Sequence, residues 1–342
     1  LANIRKLDGL AKHTVQDRQC GGAQAHNNKR NPRWVIVRRT VGRYSALSTL
    51  IGILSILALT CTATTSAYAQ EKTEQSTVTD DHRLDIGQDD DTAPKGWWDG
   101  LTKEKKMLVA NTSAISFITL WGLAQWDYGT SGMYFKNEQW FGERTKYGGA
   151  DKLGHFWSTY ALADSLTGLY ENFGYTSRKA NLYGFLSAWS LQAIMEIEDG
   201  TSETQGFSYE DMILNTLGGL TSILMERYPE LDRKIDFRVE YEFNVTPQGI
   251  FDDYSNLNYS VVLKLDGFDS MNDSLLRYLE FHLGYYSRGY DSSDIDQQRA
   301  IYSGIGINLS KLFDARGYKK TAKCLEYIQI PYTNLKARHS LD

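Results

Sequence analysis

An α+β fold, a compact bundle of about four apolar helices followed by an antiparallel β-meander of about four strands, is predicted by three features of the sequence. Four apolar runs lie between residues 107 and 225, each long enough for several helical turns. After Pro229 the apolar period shortens to two, the signature of strands. The two patterns follow one another instead of alternating, which is how segregated helices and sheet are written in a chain.

The residues ahead of the helices read as export and spacing. Arg38, Arg39 and Arg43 precede an uncharged stretch with an apolar heart at Leu47–Leu59, which ends in Ala67-Tyr68-Ala69. A basic start, a short apolar centre and a small-residue end predict a signal peptide over 44–69. Cys61 follows Ala58-Leu59-Thr60, and Thr60 is larger than the small residue a lipid-attachment site uses. The first methionine is Met107, beyond the signal, so residues 1–43 are read as an upstream extension and left out of fold reasoning. Residues 70–95 are rich in Asp, Glu, Thr, Ser and Gln and predict a disordered acidic linker. The run Asp89-Asp90-Asp91 belongs to that solvated linker, since no glycine-turned cation loop follows it.

Charge narrows the partners. Ten of the 37 basic residues and two of the 42 acidic ones lie within 1–69, which leaves 27 and 40 and a net charge of −13. So acidic a chain does not suit nucleic acid, whose phosphates need basic neutralisation. Cys324 is the one cysteine after position 69, so no internal disulfide is expected in the processed chain.

The helical domain is placed at 96–230. Its first run, Met107–Trp126, is twenty residues without a charge, enough to cross a hydrocarbon core. The others, about Leu153–Tyr170, Ala180–Met195 and Met212–Met225, are shorter, and Asp164 interrupts the first of them. Trp97, Trp98, Trp121, Trp126 and Trp140 flank the first run as an interfacial aromatic belt would. A soluble aromatic core would give the same composition.

The meander is placed at 231–312. Phe237, Val239, Tyr241 and Phe243 alternate with Arg238, Glu240, Glu242 and Asn244. Tyr259–Leu265, Leu279–Tyr285 and Ile301–Leu309 repeat the pattern. Glycine and polar residues on one face with aliphatic ones on the other is an outer-membrane strand pattern. The alternative is a soluble sheet with its apolar face on the helices. Four strands cannot close a membrane barrel, so the edges need covering. Residues 313–342 are read as a terminal segment packed on the domain, and His82 and His282 as isolated histidines with no ligand role.

Polar residues gather at the helix ends. Asp151, His155 and Ser158 stand at i, i+4 and i+7 and share one helix face. Glu196, Glu198 and Asp199-Gly200 close the third helix. Gly206-Phe207-Ser208 leads into the fourth, with Ser208 as N-cap, Asp211 in a capping-box-like role, and Asn215 and Gly218 on the same face. An antiparallel bundle brings these groups together. They could then form a divalent-metal site on His155, Glu196, Asp199 and Asp211. They could instead form an acid–base site with His155 as base beside Asp151 and Glu196. The third and preferred reading is a buried structural network in which Lys152 pairs with a carboxylate, Asn215 bonds the backbone and Asp211 caps, with Ser208 and Gly218 as structural motif residues.

The motifs Asp151-Lys152-Leu153-Gly154-His155, Glu196-Ile197-Glu198-Asp199-Gly200 and Gly206–Asp211 with Asn215 and Gly218 resemble the YfiM-like family of periplasmic or outer-membrane (lipo)proteins. A fainter likeness extends to VanZ-like membrane proteins, which pair an Asp-Lys-x-x-His helix start with a Ser-x-x-Asp-x-x-x-Asn-x-x-Gly helix. The resemblance implies an envelope location and no particular reaction. The expected role is therefore a membrane-associated envelope protein, structural or an assembly partner, contacting lipid or another envelope protein, or a further copy of itself. The competing expectation is a metal-assisted hydrolase or transferase acting on a lipid or glycan headgroup.

Overall fold

The computed structural model describes residues 96–242, 253–290 and 296–342. The upstream extension, signal peptide and acidic linker expected over 1–95 lie outside the described residues.

The four apolar runs are four long helices, each extended at its ends by polar residues. They are α1 (Lys103–Gln125), α2 (Ala150–Asn172), α3 (Ser177–Asp199) and α4 (Tyr209–Arg227). Thr102 caps α1 by accepting the Lys105 N–H, and Ser208 caps α4 by accepting the Asp211 N–H. The chain enters α2 through Gly149 at φ +86°, where a Cβ would meet the Phe141 ring and the Trp140 carbonyl. α4 stops at Tyr228, whose backbone leaves the helical region ahead of Pro229, where a following proline disfavours it. Pro229 then opens a single turn, α5 (Pro229–Asp232).

α2 is the central helix and packs on both α3 and α4. The contact with α4 is close because Gly218 faces the Phe156 carbonyl. α1 lies at the edge against α3. Its Asn111 donates to the Tyr170 hydroxyl at 2.8 Å, and Thr119 donates to Glu198 at 2.5 Å. Leu108, Phe117, Leu120 and Leu123 of α1 remain exposed, and α1 is long and apolar enough to cross a membrane.

The meander is β1 (Ile235–Tyr241), β2 (Leu257–Lys264), β3 (Leu279–Arg288) and β4 (Gln298–Ile307), paired antiparallel in sequence order. The C-terminal segment does more than pack on the domain. After α6 (Leu309–Asp314) and α7 (Lys319–Cys324) it supplies two further strands, β5 (Ile328–Gln329) and β6 (Asn334–Ser340). β5 joins β1 in parallel and β6 joins β4 antiparallel, giving the mixed order β5-β1-β2-β3-β4-β6. Both meander edges are thereby covered from one short stretch of chain. In a flat sheet β1 and β6 would stand about 19 Å apart, four gaps of about 4.8 Å. Lys336 of β6 nevertheless reaches Glu240 of β1 at 2.7 Å, so the sheet is tightly curled.

The inner side of the curl is the polar one. Asp236, Arg238, Glu240, Asn258, Lys264, Glu280, His282 and Gln329 are all buried. Arg238 bridges Asp236 (2.6 Å), Glu280 (3.0 Å) and Gln329 (2.9 Å), and Lys264 holds the other Asp236 oxygen at 2.5 Å. His282 is not isolated: its Nε2 lies 3.1 Å from Glu280 inside this network. The aliphatic side divides in two. On β1 and the near ends of β2 and β3 it packs on α2, with Phe237 against Phe156 and Tyr160, and Val239 and Tyr259 against Ala150. Farther along, Val261, Phe281, Leu283, Ile301, Ile305, Ile307 and Leu335 are exposed, Leu283 at 63% and Leu335 at 83%. The helices therefore cover only the β1 side, as a soluble packing would require, and leave the rest of the apolar face outward.

Candidate functional site

The polar residues of the three motifs converge where the N-termini of α2 and α4 meet the C-terminus of α3. The helix direction explains this, because two antiparallel crossings of about 23 residues bring those three ends to one level. Lys152 is 1% exposed, and its ammonium sits among three carboxylates. Glu138 lies at 2.7 Å, and Asp151 and Asp211 each at 2.9 Å. Burial works against the lysine's charge, but Asp151, Asp211 and Glu138 outweigh it and raise its pKa. Glu138 is half-buried, which by itself would raise its pKa, yet Lys152 and Lys136 hold it down at about 2.

One turn along α2, His155 stands between α3 and α4. Its Nδ1 faces Asn215 Oδ1 at 3.3 Å, and the Thr159 hydroxyl lies 2.9 Å from the same oxygen. Nε2 faces Glu196 Oε1 at 3.6 Å and Asp211 Oδ2 at 3.8 Å. These separations are too long for hydrogen bonds. The ligating atoms of His155, Glu196 and Asp211 all lie within 4.8 Å of one another. Burial lowers the histidine's basicity, but Asp211, Glu196 and Asp151 exceed it and raise the pKa. Burial pushes Glu196 up to about 8 against the pull of His155, and Asp151 up to about 6 against the pull of Lys152.

Ser208 ties the site to its cap. Its N–H donates to Glu196 Oε2 at 3.1 Å, and its hydroxyl donates to Glu210 at 3.2 Å while accepting the Asp211 N–H. The expected capping-box role for Asp211 is thus divided. Asp211 supplies the capped N–H, but its carboxylate turns to Lys152 and His155. Asp199 adjoins the site without joining the set of three. Burial pushes its pKa up to about 7, against the Tyr128 hydroxyl, His155 and Lys146. Ser158, on the same face as His155, accepts a hydrogen bond from Gln192 at 2.7 Å.

Glu138 and Glu210 did not stand out in the sequence. Glu138 reaches Lys152 from the segment between α1 and α2, where no periodicity marks it. Glu210 adjoins the Ser208 cap and, fully buried, also accepts the Gln139 N–H at 3.0 Å. A cavity of about 240 Å³ lies elsewhere, lined by Lys264, Asp266, Asn308, Lys311, Lys323 and Glu326. Lys264, Lys311 and Lys323 are ion-paired to Asp236, Asp266 and Glu326 respectively, and none of the residues around His155 lines the cavity.

Residues 137–227 match the model of a family described as "Predicted periplasmic lipoprotein (DUF2279)". That span contains α2, α3, α4 and every residue of the His155 and Lys152 groups. The match agrees with the YfiM-like resemblance carried by the three motifs and supports a place in the cell envelope. No curated protein and no solved structure matches the chain.

Proposed function

We propose that this protein is a membrane-associated structural or assembly component on the periplasmic or outer-membrane side of the envelope, with lipid against its apolar exterior. The observation that carries this reading is the polarity of the curled sheet, whose charged residues are inside and whose aliphatic residues are outside. In water, burying Asp236, Arg238, Glu240, Lys264 and Glu280 while exposing Phe281, Leu283, Ile301, Ile305 and Ile307 reverses the usual economy of folding. Beside hydrocarbon the same arrangement is the stable one. The exposed aliphatic side of α1 is a second apolar surface. An extended apolar surface of this kind marks a membrane or partner interface.

The buried polar site suits a structural role. Lys152 draws Glu138, Asp151 and Asp211 together, so Asp151 is held by the lysine and does not orient His155. Metal-assisted headgroup chemistry through His155, Asp151 and Glu196 would show itself as hydrolysis of a phospholipid or glycan substrate that stops in His155→Ala. The membrane reading is tested by flotation with phosphatidylethanolamine–phosphatidylglycerol vesicles. Wild type is expected in the lipid fraction, and Leu283→Asp/Ile305→Asp is expected to stay behind with unchanged circular dichroism. A wild-type protein that is a dispersed monomer without detergent and ignores the vesicles would overturn the reading.

A further inference from the structure

We infer that His155, Glu196 and Asp211 form a binding site for one divalent transition-metal ion of the Zn²⁺ class, which joins α2, α3 and α4.

The two neighbouring carboxylate groups carry the argument. Glu138, Asp151 and Asp211 Oδ1 surround the Lys152 ammonium at 2.7–2.9 Å, so that group has its cation from the chain itself. The second group shares Asp211 through its other oxygen and adds Glu196 Oε1 and His155 Nε2. No lysine or arginine ion pair to Glu196 or to Asp211 Oδ2 is found among the described residues.

The distances fit a metal better than a proton. Zinc–nitrogen and zinc–oxygen bonds of about 2.0–2.2 Å place tetrahedral ligands about 3.3–3.6 Å apart. Nε2 stands 3.6 Å from Glu196 and 3.8 Å from Asp211, beyond hydrogen-bond length and near that ligand spacing. The supporting contacts have the form such sites use. Asn215 Oδ1 faces Nδ1 at 3.3 Å and so turns Nε2 into the group, as outer partners of metal-bound histidines do. The Ser208 N–H holds Glu196 by its second oxygen and leaves the first for a ligand.

The local charge also points to a cation. Asp151, Glu196, Glu210 and Asp211 are gathered around one lysine and one histidine, while Glu138 is shared between Lys152 and Lys136. One imidazole with two carboxylates is a borderline donor set, which selects Zn²⁺ or Mn²⁺ over Ca²⁺.

The inference is independent of the lipid-facing reading, because it is tested on the full chain in detergent whether or not the protein floats with vesicles. Wild type is titrated with Co²⁺, followed by visible absorption, and then with Zn²⁺, followed by elemental analysis after dialysis. One equivalent per chain is expected, with Co²⁺ bands displaced by Zn²⁺. Glu196→Gln and His155→Asn are expected to weaken binding by about tenfold or more, while Asp199→Asn keeps it. Absence of Co²⁺ bands and of retained Zn²⁺ in the wild type would overturn the inference without reference to any variant. Binding that survives both ligand substitutions, or that depends on Asp199 instead, would overturn it as well.

Discussion

The bundle and the sheet both bury charge, and they do so with different balances. Inside the sheet Asp236, Glu240 and Glu280 face Arg238, Lys264 and Lys336, acid for base. Inside the bundle Asp151, Glu196, Glu210 and Asp211 gather around Lys152 and His155, and Glu138 is shared between Lys152 and Lys136. A matched interior needs nothing added, because each charge removed from water meets an opposite one within hydrogen-bond range. An acid-rich interior must take up protons or a cation. The raised pKa values of Asp151, Glu196 and Asp199 are the protonic form of that demand. The comparison separates a region whose charge serves cohesion from one whose charge can serve a ligand.

The sharpest way to break this contrast is to remove the central cation from each side. Arg238→Met leaves Asp236 and Glu280 buried beside a thioether and is expected to cost about 3–5 kcal/mol. Lys152→Met should cost a comparable amount, because three carboxylates lose one partner. Chemical denaturation in detergent measures both. A harmless Lys152→Met would mean that the bundle's acids do not depend on the lysine, and the two interiors would then differ in kind.

Gly218→Ala tests the packing that brings the bundle's groups together. The added Cβ would lie 2.1 Å from the Phe156 carbonyl oxygen, which is backbone and cannot rotate away. Pushing α4 from α2 is expected to cost about 1–3 kcal/mol, read as a lowered melting temperature. A neutral result would show that the helix contact tolerates slack, and the His155–Asp211 spacing with it.

The smallest effect belongs to the sheet's rim. Burial alone would raise the Glu242 pKa, but the Asn258 amide, Arg288, Lys336 and Arg338 hold it below the usual glutamate range. A depressed folded-state value contributes stability above the ordinary glutamate pKa and loses it as pH falls through the folded one. The site is half open to solvent, so the contribution is expected below about 1 kcal/mol. Glu242→Gln should lower the melting temperature slightly at pH 7 and match wild type at pH 3. An equal deficit at both values would assign the effect to packing instead of charge.

Much of this was legible in the chain. Apolar runs of helical length gave α1 to α4, and the alternation after Pro229 gave β1 to β4. The short strands β5 and β6 were hidden because two and seven residues with mixed polarity carry little periodic signal. The Ser208 cap and the partnership of Asp151, Lys152, His155, Glu196, Asp211 and Asn215 followed from helix ends that an antiparallel bundle must bring together. Glu138 was not legible, since it reaches Lys152 from an irregular segment 14 residues upstream.

The sequence by itself determined which residues share a face. A period of two assigns Arg238 with Asp236 and Glu240, and Leu283 with Phe281 and Tyr285, whatever the fold. Only the tertiary structure decided which face is inside. Alternation is symmetric with respect to the two sides of a strand, and the inward side was chosen by the curl that carries Lys336 to Glu240. The same holds for the helices. Spacing placed His155 with Asp151 on one face, but the division of Asp211 between Lys152 and His155 depends on the approach of α4 to α2. That approach is set by contacts between residues some 60 positions apart, which no local pattern encodes.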